Sequence, residues 1–309
     1  MNTATQPDLQ AIVTSPRVDF DPRLDGENVY ASAFGALSIE QWIDVLVRSI
    51  DERVIDGVEF PSFPPREMQS SIHGHFGEHS IREAARFYTL IRDNGLTGPA
   101  APWHGTGYLL DFGMGWGRIT RPFLRDFPLR NIVGYEPSNR FASVARSCNP
   151  YVSILSGGYM PDGIIPPDRF DLVVGWSVFS HLSLKSASAW LAEMQRVTRP
   201  GAAIVLTTWG MRFLQRLKAE KAQLDAGQEI HWYSKVCLDT CGNIDERIEA
   251  YKRGEFVWFN GGNSDLYGEA FLGEGSLRKI LAEHAPKLRL ARFDTASLPQ
   301  DVFILRRGE

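Results

Sequence analysis

Between Tyr108 and Thr208 the chain alternates short apolar runs with helical stretches, and this alternation restricts the fold more than any other feature. Runs of strand length lie at 108–112, 131–135, 151–155, 170–176 and 202–208. Helices are expected over 118–126, 139–147 and 184–196, the last stopped by Arg199-Pro200-Gly201 as a helix-to-strand turn. Parallel strands need long crossovers, and helices of this length supply them, so the pattern predicts a parallel sheet built from β-α-β units. Further on, a helix at 276–283 precedes strands at 287–293 and 301–305. Their short connection fits an antiparallel pair.

The rest of the chain adds helices to that sheet. Residues 1 to about 30 mix Thr, Gln, Pro, Asp and Arg without a period and are expected to form an irregular arm, taken as 1–37. Ser38 and Gln41 make a capping box ahead of Ile39, Trp42, Ile43, Leu46 and Ile50, which share one helical face. Ser80 and Glu83 predict the start of a second helix carrying Ile81, Ala84, Ala85 and Tyr88 and ending near Asn94 and Gly95. Residues 38–98 thus read as a helical cap on a domain spanning 99–309.

Composition removes several function classes. Of 309 residues, 33 are Lys or Arg and 37 are Asp or Glu, a net charge of -4, and 43% are hydrophobic. That balance suits neither a disordered tail nor a polybasic nucleic-acid binder, so no nucleic-acid partner is expected. No apolar run reaches the roughly 18 to 20 residues of a membrane span, and the first residues lack a signal-peptide order, so a cytoplasmic protein without a membrane partner is expected. Cys148, Cys237 and Cys241 suggest reduced structural thiols. His73, His75 and His79 lie close together, but Gly74 and Gly77 loosen their geometry and no H-E-x-x-H motif occurs, so no metal is expected.

The chemistry concentrates in LLDFGMGWGR. A buried strand ends at Asp111, and Gly113, Gly115 and Gly117 then allow close backbone approach and positive φ before a helix whose N-terminus offers free N–H groups. The second strand ends at Glu136, whose carboxylate can accept hydrogen bonds from both hydroxyls of a ribose. A dinucleotide fingerprint needs G-x-G-x-x-G, yet its third glycine would fall on Arg118 or Thr120. A nicotinamide-dependent oxidoreductase is therefore disfavoured.

The G-x-G-x-G spacing behind an acidic residue instead resembles the class I S-adenosylmethionine-dependent methyltransferases. FGEHSIREAARFY, FDLVVGWSVFSHLS, RVTRPGAAIVLTTWG, YGEAFLG and QDVFILRR extend the resemblance, to bacterial members of that family acting on small molecules. It implies an α/β, Rossmann-like, doubly wound, seven-stranded mixed sheet: six strands are parallel and the last is antiparallel. It implies S-adenosyl-L-methionine as cofactor and S-adenosyl-L-homocysteine as product. By the same resemblance Asp111, Gly113, Met114, Gly115 and Arg118 would belong to the cofactor site, Glu136 would hold the ribose and Pro137 would lie against the adenine. Gly158 and Tyr159 would flank the adenine, and Trp176 and Ser177 would border the sulfonium and substrate. The family more often has Asp at the place of Glu136, a small residue or Cys at that of Met114, and an acid near Ser156.

Bland readings stand beside these. Arg118 serves equally as a structural ion-pair partner, Glu136 as a solvated carboxylate, and the glycine loop as a tight turn. His181, just past the fourth strand, suits either a general base or a helix cap. With His231, Tyr233 and Tyr267 it completes the candidates for orienting or deprotonating an acceptor. A stretch at about 227–272, rich in aromatics and amides, reads as an inserted substrate lid. The reading is methyl transfer to a small polar acceptor, with O-methylation preferred and a sugar hydroxyl as the example; a non-catalytic cofactor- or partner-binding module is the alternative. Oligomeric state is not readable from the sequence.

Overall fold

The computed structural model describes residues 28–262 and 264–309. The expected N-terminal arm therefore lies largely outside the described residues. The main sheet has seven strands, in the order 288–294, 301–307, 198–208, 170–175, 109–112, 132–135 and 153–155, with flanking helices, and the chain divides after Gly157 into two compact units.

In the first unit, α1 (Val29–Phe34) and α2 (Ile39–Arg48) lead into a short hairpin, β1 (Val54–Ile55) and β2 (Val58–Glu59), then α3 (Arg66–His73) and α4 (Glu78–Asp93). The Ser38–Gln41 capping box forms as expected, and Trp42 and Leu46 of α2 are buried. The cap of α4 lies three residues before the expected Ser80. Gly77, at φ 62°, is its N-cap, and the Gly77 N–H is taken by the Gln69 side chain at 3.0 Å, so Ser80 lies inside the helix. Strands β3 (Leu109–Phe112), β4 (Ile132–Tyr135) and β5 (Ser153–Leu155) pair in parallel, with α5 (Asn139–Cys148) crossing from β4 to β5. β3 is buried at every residue, as a strand covered on both faces must be.

The helix expected over 118–126 is instead a 3-10 turn at Arg121–Arg125. Pro122 lacks an N–H, and its ring would clash with the Arg118 carbonyl in an α-helix. This turn binds the preceding helices. Trp42 Nε1 donates to the Pro122 carbonyl at 2.9 Å, and the buried Arg121 donates to the carbonyls of Pro61 and Ser62 at 2.8 and 2.5 Å. The Arg121 guanidinium lies over the Phe63 ring at 4.0 Å and the Trp116 ring at 4.9 Å. Burial brings its pKa down to about 10, and no carboxylate among the described residues pairs with it.

In the second unit, β6 (Phe170–Gly175) pairs in parallel with β7 (Thr198–Thr208), reached through α6 (Leu184–Val197). The Arg199-Pro200-Gly201 segment is not a separate turn. β7 starts at Thr198, directly after α6, and absorbs these residues as an irregularity: the register passes from Phe170↔Thr198 to Leu172↔Ala203, with Gly201 at φ 83°. β11 (Asp301–Arg307) runs antiparallel to both β7 and β10 (Leu288–Asp294), so β6, β7 and β10 share one direction and β11 opposes them. α10 (Glu274–His284) precedes β10.

Between β7 and α10 lie α7 (Met211–Asp225), α8 (Trp232–Cys241), α9 (Ile244–Lys252) and the antiparallel pair β8 (Val257–Phe259) and β9 (Glu269–Phe271). They share a core in which Phe213, Leu214 and Leu217 of α7 meet Cys237, Cys241, Ile244, Ile248, Val257, Phe259 and Phe271. α7 thus belongs to the same packing as the segment read as a lid from about 227. All three cysteines are free, buried thiols. No described helix is long and apolar enough to cross a membrane.

Candidate functional site

In the first unit, the glycine loop is held from beneath. Gly113, Gly115 and Gly117 adopt φ of 73°, 57° and 91°. Gly113 and Met114 both donate their N–H to the Tyr135 carbonyl, at 2.9 and 3.0 Å. Asn149, the C-cap of α5, donates Nδ2 to the Trp116 carbonyl at 2.8 Å, and a Cβ on Gly117 would meet that same amide. Met114 and Trp116 are buried. The Met114 side chain fills the space that a Cβ on Gly134 would need, so only its backbone serves the loop surface.

Glu136 sits at the end of β4 and is 7% exposed. Its Oε2 accepts the Gly115 N–H at 2.9 Å and its Oε1 accepts the Ser138 N–H at 2.9 Å. Burial pushes its pKa up, against the pull of those two N–H groups. Each carboxylate oxygen has a second lone pair, so the group retains one acceptor direction per oxygen. Two acceptors side by side match the two hydroxyls of a ribose, and Pro137 follows half-buried. The residues present therefore fit the nucleoside end of S-adenosylmethionine.

Asp111 and Arg118 are placed differently from ligand-facing groups. Asp111 is 1% exposed and accepts the Thr120 hydroxyl at 2.6 Å, bracing the turn beneath the loop. Burial raises its pKa from 3.8 to about 7. Below about 4 both folded and unfolded chains hold this proton; between about 4 and 7 only the folded chain does, so stability drains away as pH rises through that window. Three units correspond to at most ~4 kcal/mol. Asp111→Asn is expected to flatten the fall of the melting temperature between pH 4 and 8 and to melt above the wild type at pH 8; parallel curves would refute the assignment. The Arg118 guanidinium is buried against Glu83 of α4 and donates to the Ser80 carbonyl at 3.5 Å, which is the structural reading of that arginine.

The rings of His75 and His79 lie with centroids 4.1 Å apart and planes tilted by 43°; burial lowers the pKa of His75. The side chain of His73 lies outside the description. No group of three potential metal ligands occurs among the described residues.

The second unit opens with Gly158 and Tyr159, both exposed. Gly158 donates its N–H to Asp162 Oδ2 at 3.0 Å, and the Tyr159 carbonyl accepts the Trp190 indole at 2.9 Å. Trp176 is buried at the end of β6. Ser177 has φ 59°, a strained value for a residue with a side chain. Its N–H donates to Thr207 Oγ1 at 2.7 Å, Thr207 donates to Gln300 Oε1 at 2.5 Å, and Gln300 Nε2 returns to Ser177 Oγ at 2.8 Å. The closed ring holds the strained backbone in place.

His181 is held through one nitrogen. Its Nδ1 lies 2.9 Å from the Gly268 carbonyl, an acceptor, so Nδ1 carries the proton and Nε2 keeps a lone pair. Tyr267, half-exposed, stacks on the imidazole at 5.0 Å. Glu269 Oε2 stands 3.7 Å from the same Nδ1 and accepts the Tyr233 hydroxyl at 2.7 Å and the Trp209 indole at 3.0 Å. Burial beside Glu269 pushes the Tyr233 phenol far above its ordinary pKa. Tyr233 is thus a donor and not a base. His231 is a helix cap: exposed, it accepts the Tyr233 N–H at 3.3 Å. Of the four acceptor-side candidates, His181 and Tyr233 meet Glu269, Tyr267 stacks on His181, and His231 does not join them.

Glu269 is the residue that sequence reasoning missed. It stands in YGEAF, but its partner His181 is 88 positions away, and no local spacing joins the two. Asn149 was missed likewise, because a helix-ending Asn gives no sign that it reaches Trp116.

An acidic strand end, a glycine loop and a carboxylate after the next strand define a nucleoside-binding α/β domain. Residues 109–201 match the family model described as "Methyltransferase domain". Residues 109–201 thus form a methyltransferase domain similar to those of the class I S-adenosylmethionine-dependent methyltransferases. An uncharacterized methyltransferase of Oceanobacillus iheyensis is 24% identical over 123 residues, covering 39% of this chain and 54% of that protein, so the chain spans about half the length of this curated relative. Among solved structures, a Listeria monocytogenes protein assigned as an S-adenosylmethionine-dependent methyltransferase is similar with TM-score 0.50 and 12% identity, over 73% of this chain and 100% of that one. A Clostridium acetobutylicum S-adenosylmethionine-dependent methyltransferase gives TM-score 0.49 and 11% identity, over 79% and 97%.

Proposed function

We propose that the chain transfers a methyl group from S-adenosylmethionine to a hydroxyl of a small polar acceptor, a sugar being the preferred class, in the cytoplasm. Residues 38–98 act as a helical cap and the segment around 227–272 as an acceptor lid. The observation that carries the hydroxyl reading is His181, whose Nδ1 is engaged by the Gly268 carbonyl so that Nε2 is left as a base. Bound S-adenosylmethionine supplies an electrophilic methyl carbon on a sulfonium. Glu136 and the loop at Gly113 and Gly115 hold the donor, His181 takes the acceptor's proton, and the exposed ring of Tyr267 offers a stacking face to a sugar. The near-balanced charge supports a small acceptor over a long polyanion.

Titration calorimetry with S-adenosylmethionine and S-adenosylhomocysteine is expected to show saturable binding of both. Transfer of labelled methyl to a panel of sugars and amines is expected to mark hydroxyls. Absence of heat with folded protein removes the donor reading. Transfer confined to amines removes the hydroxyl reading.

A further inference from the structure

Glu269 is largely enclosed, takes hydrogen bonds from two donors and faces an imidazole. Its Oε2 meets Tyr233 from α8 at 2.7 Å, Trp209 from the end of β7 at 3.0 Å and His181 from the segment after β6 at 3.7 Å. Backbone pairing fixes the relation of these segments. Gly268 and Ala270 donate their N–H groups to the carbonyls of His181 and Ser180, both at 2.8 Å, and Ser183 donates to the Leu266 carbonyl at 3.0 Å. The strand carrying Glu269 is therefore laced along the segment carrying His181. A buried carboxylate is costly unless its hydrogen bonds and charge are used, and only one of its neighbours here, His181, can become a cation.

We infer that Glu269 is a positioning residue for His181: its carboxylate, clamped by Tyr233 and Trp209, stands 3.7 Å from the ring that the Gly268 carbonyl orients, and stabilises the imidazolium formed when Nε2 accepts a proton from an aliphatic hydroxyl. The inference deepens the proposed function and rests on it. In the step, the acceptor's O–H bond breaks, its proton goes to Nε2 and its electron pair stays on oxygen. That oxygen bonds the methyl carbon as the carbon–sulfur pair departs with the thioether, and the imidazolium then gives its proton to solvent. Aliphatic hydroxyls are the class that needs this device, because they hold their proton at neutral pH, whereas a free amine attacks with its own lone pair.

The test is E269Q, close in shape and without the charge. Its kcat toward the hydroxyl acceptor is expected to fall about 100-fold, with affinity for S-adenosylmethionine unchanged by calorimetry. Loss of the anion disfavours the imidazolium, so the acid limb of the kcat profile moves to lower pH. The ring signals of His181 in donor-free, 15N-histidine-labelled protein follow the same displacement. A wild-type kcat and profile in E269Q, with His181→Ala impaired, overturns the inference and leaves the base reading intact. Wild-type turnover in both variants overturns the two together. If E269Q does not fold, Tyr233→Phe decides the matter: release of the clamp lowers kcat about tenfold at unchanged donor affinity, and a wild-type kcat overturns the inference.

Discussion

Glu136→Ala is expected to bind S-adenosylmethionine at least about 100-fold more weakly than the wild-type chain. The loss has two parts. The substitution removes the two acceptor directions proposed for the ribose hydroxyls, and it strips the Gly115 and Ser138 N–H groups of their 2.9 Å partner. Hydrogen bonds to a charged group contribute roughly 1.5 to 3 kcal/mol each, so losing two accounts for the factor with some to spare. Calorimetry on folded protein makes the comparison, with Glu136→Asp as the milder variant because the carboxylate survives. Wild-type affinity in Glu136→Ala would mean that the donor is held elsewhere. The bond from Gly115 to Glu136 makes the proposed ribose ligand a brace of the loop as well, so the variant is also expected to lose order in the glycine loop.

His181→Ala is expected to lower kcat by about 100- to 10,000-fold while donor affinity stays at its wild-type value. The side chain makes few structural contacts that the backbone does not replace. Gly268 and Ala270 still pair with the carbonyls of residues 181 and 180, and the lost packing is chiefly the stack with the half-exposed Tyr267. A small molecule can stand in for the missing ring, so added imidazole is expected to restore part of the turnover. Unchanged turnover would leave proximity and orientation as the whole catalytic account.

The fold was legible where local pattern and tertiary demand coincide. Every strand expected between 108 and 208 occurs: those covered on both faces, such as β3, must be apolar, and the edge strand β5 lies within the short apolar run at 151–155. The capping box at Ser38 and Gln41 was legible for the same reason: both partners are local. The errors share a cause as well. The 118–126 segment has a helical distribution of apolar residues, and Pro122 overrides it; Ser80 has the spacing of a cap, and Gly77 supplies the entry instead. On the site, Glu136 follows from its place after the second strand. The pairing of Arg118 with Glu83 and of His181 with Glu269 depends on segments 35 and 88 residues apart, and one sequence carries no mark of which distant acid meets which base.

The buried Arg121 bears on where this protein can be cut. Its cation faces carbonyls of Pro61 and Ser62 and the rings of Phe63 and Trp116, so removing the chain before Leu109 would take away both carbonyls and one ring and leave a positive charge under the glycine loop. An unpaired buried cation is among the costliest defects a core can carry. The point where recognisable similarity begins is thus not the point where the fold becomes self-sufficient. The connection between β2 and α3 is the wall against which the turn after the glycine loop is set, and a domain cut before Leu109 is expected to lose that support.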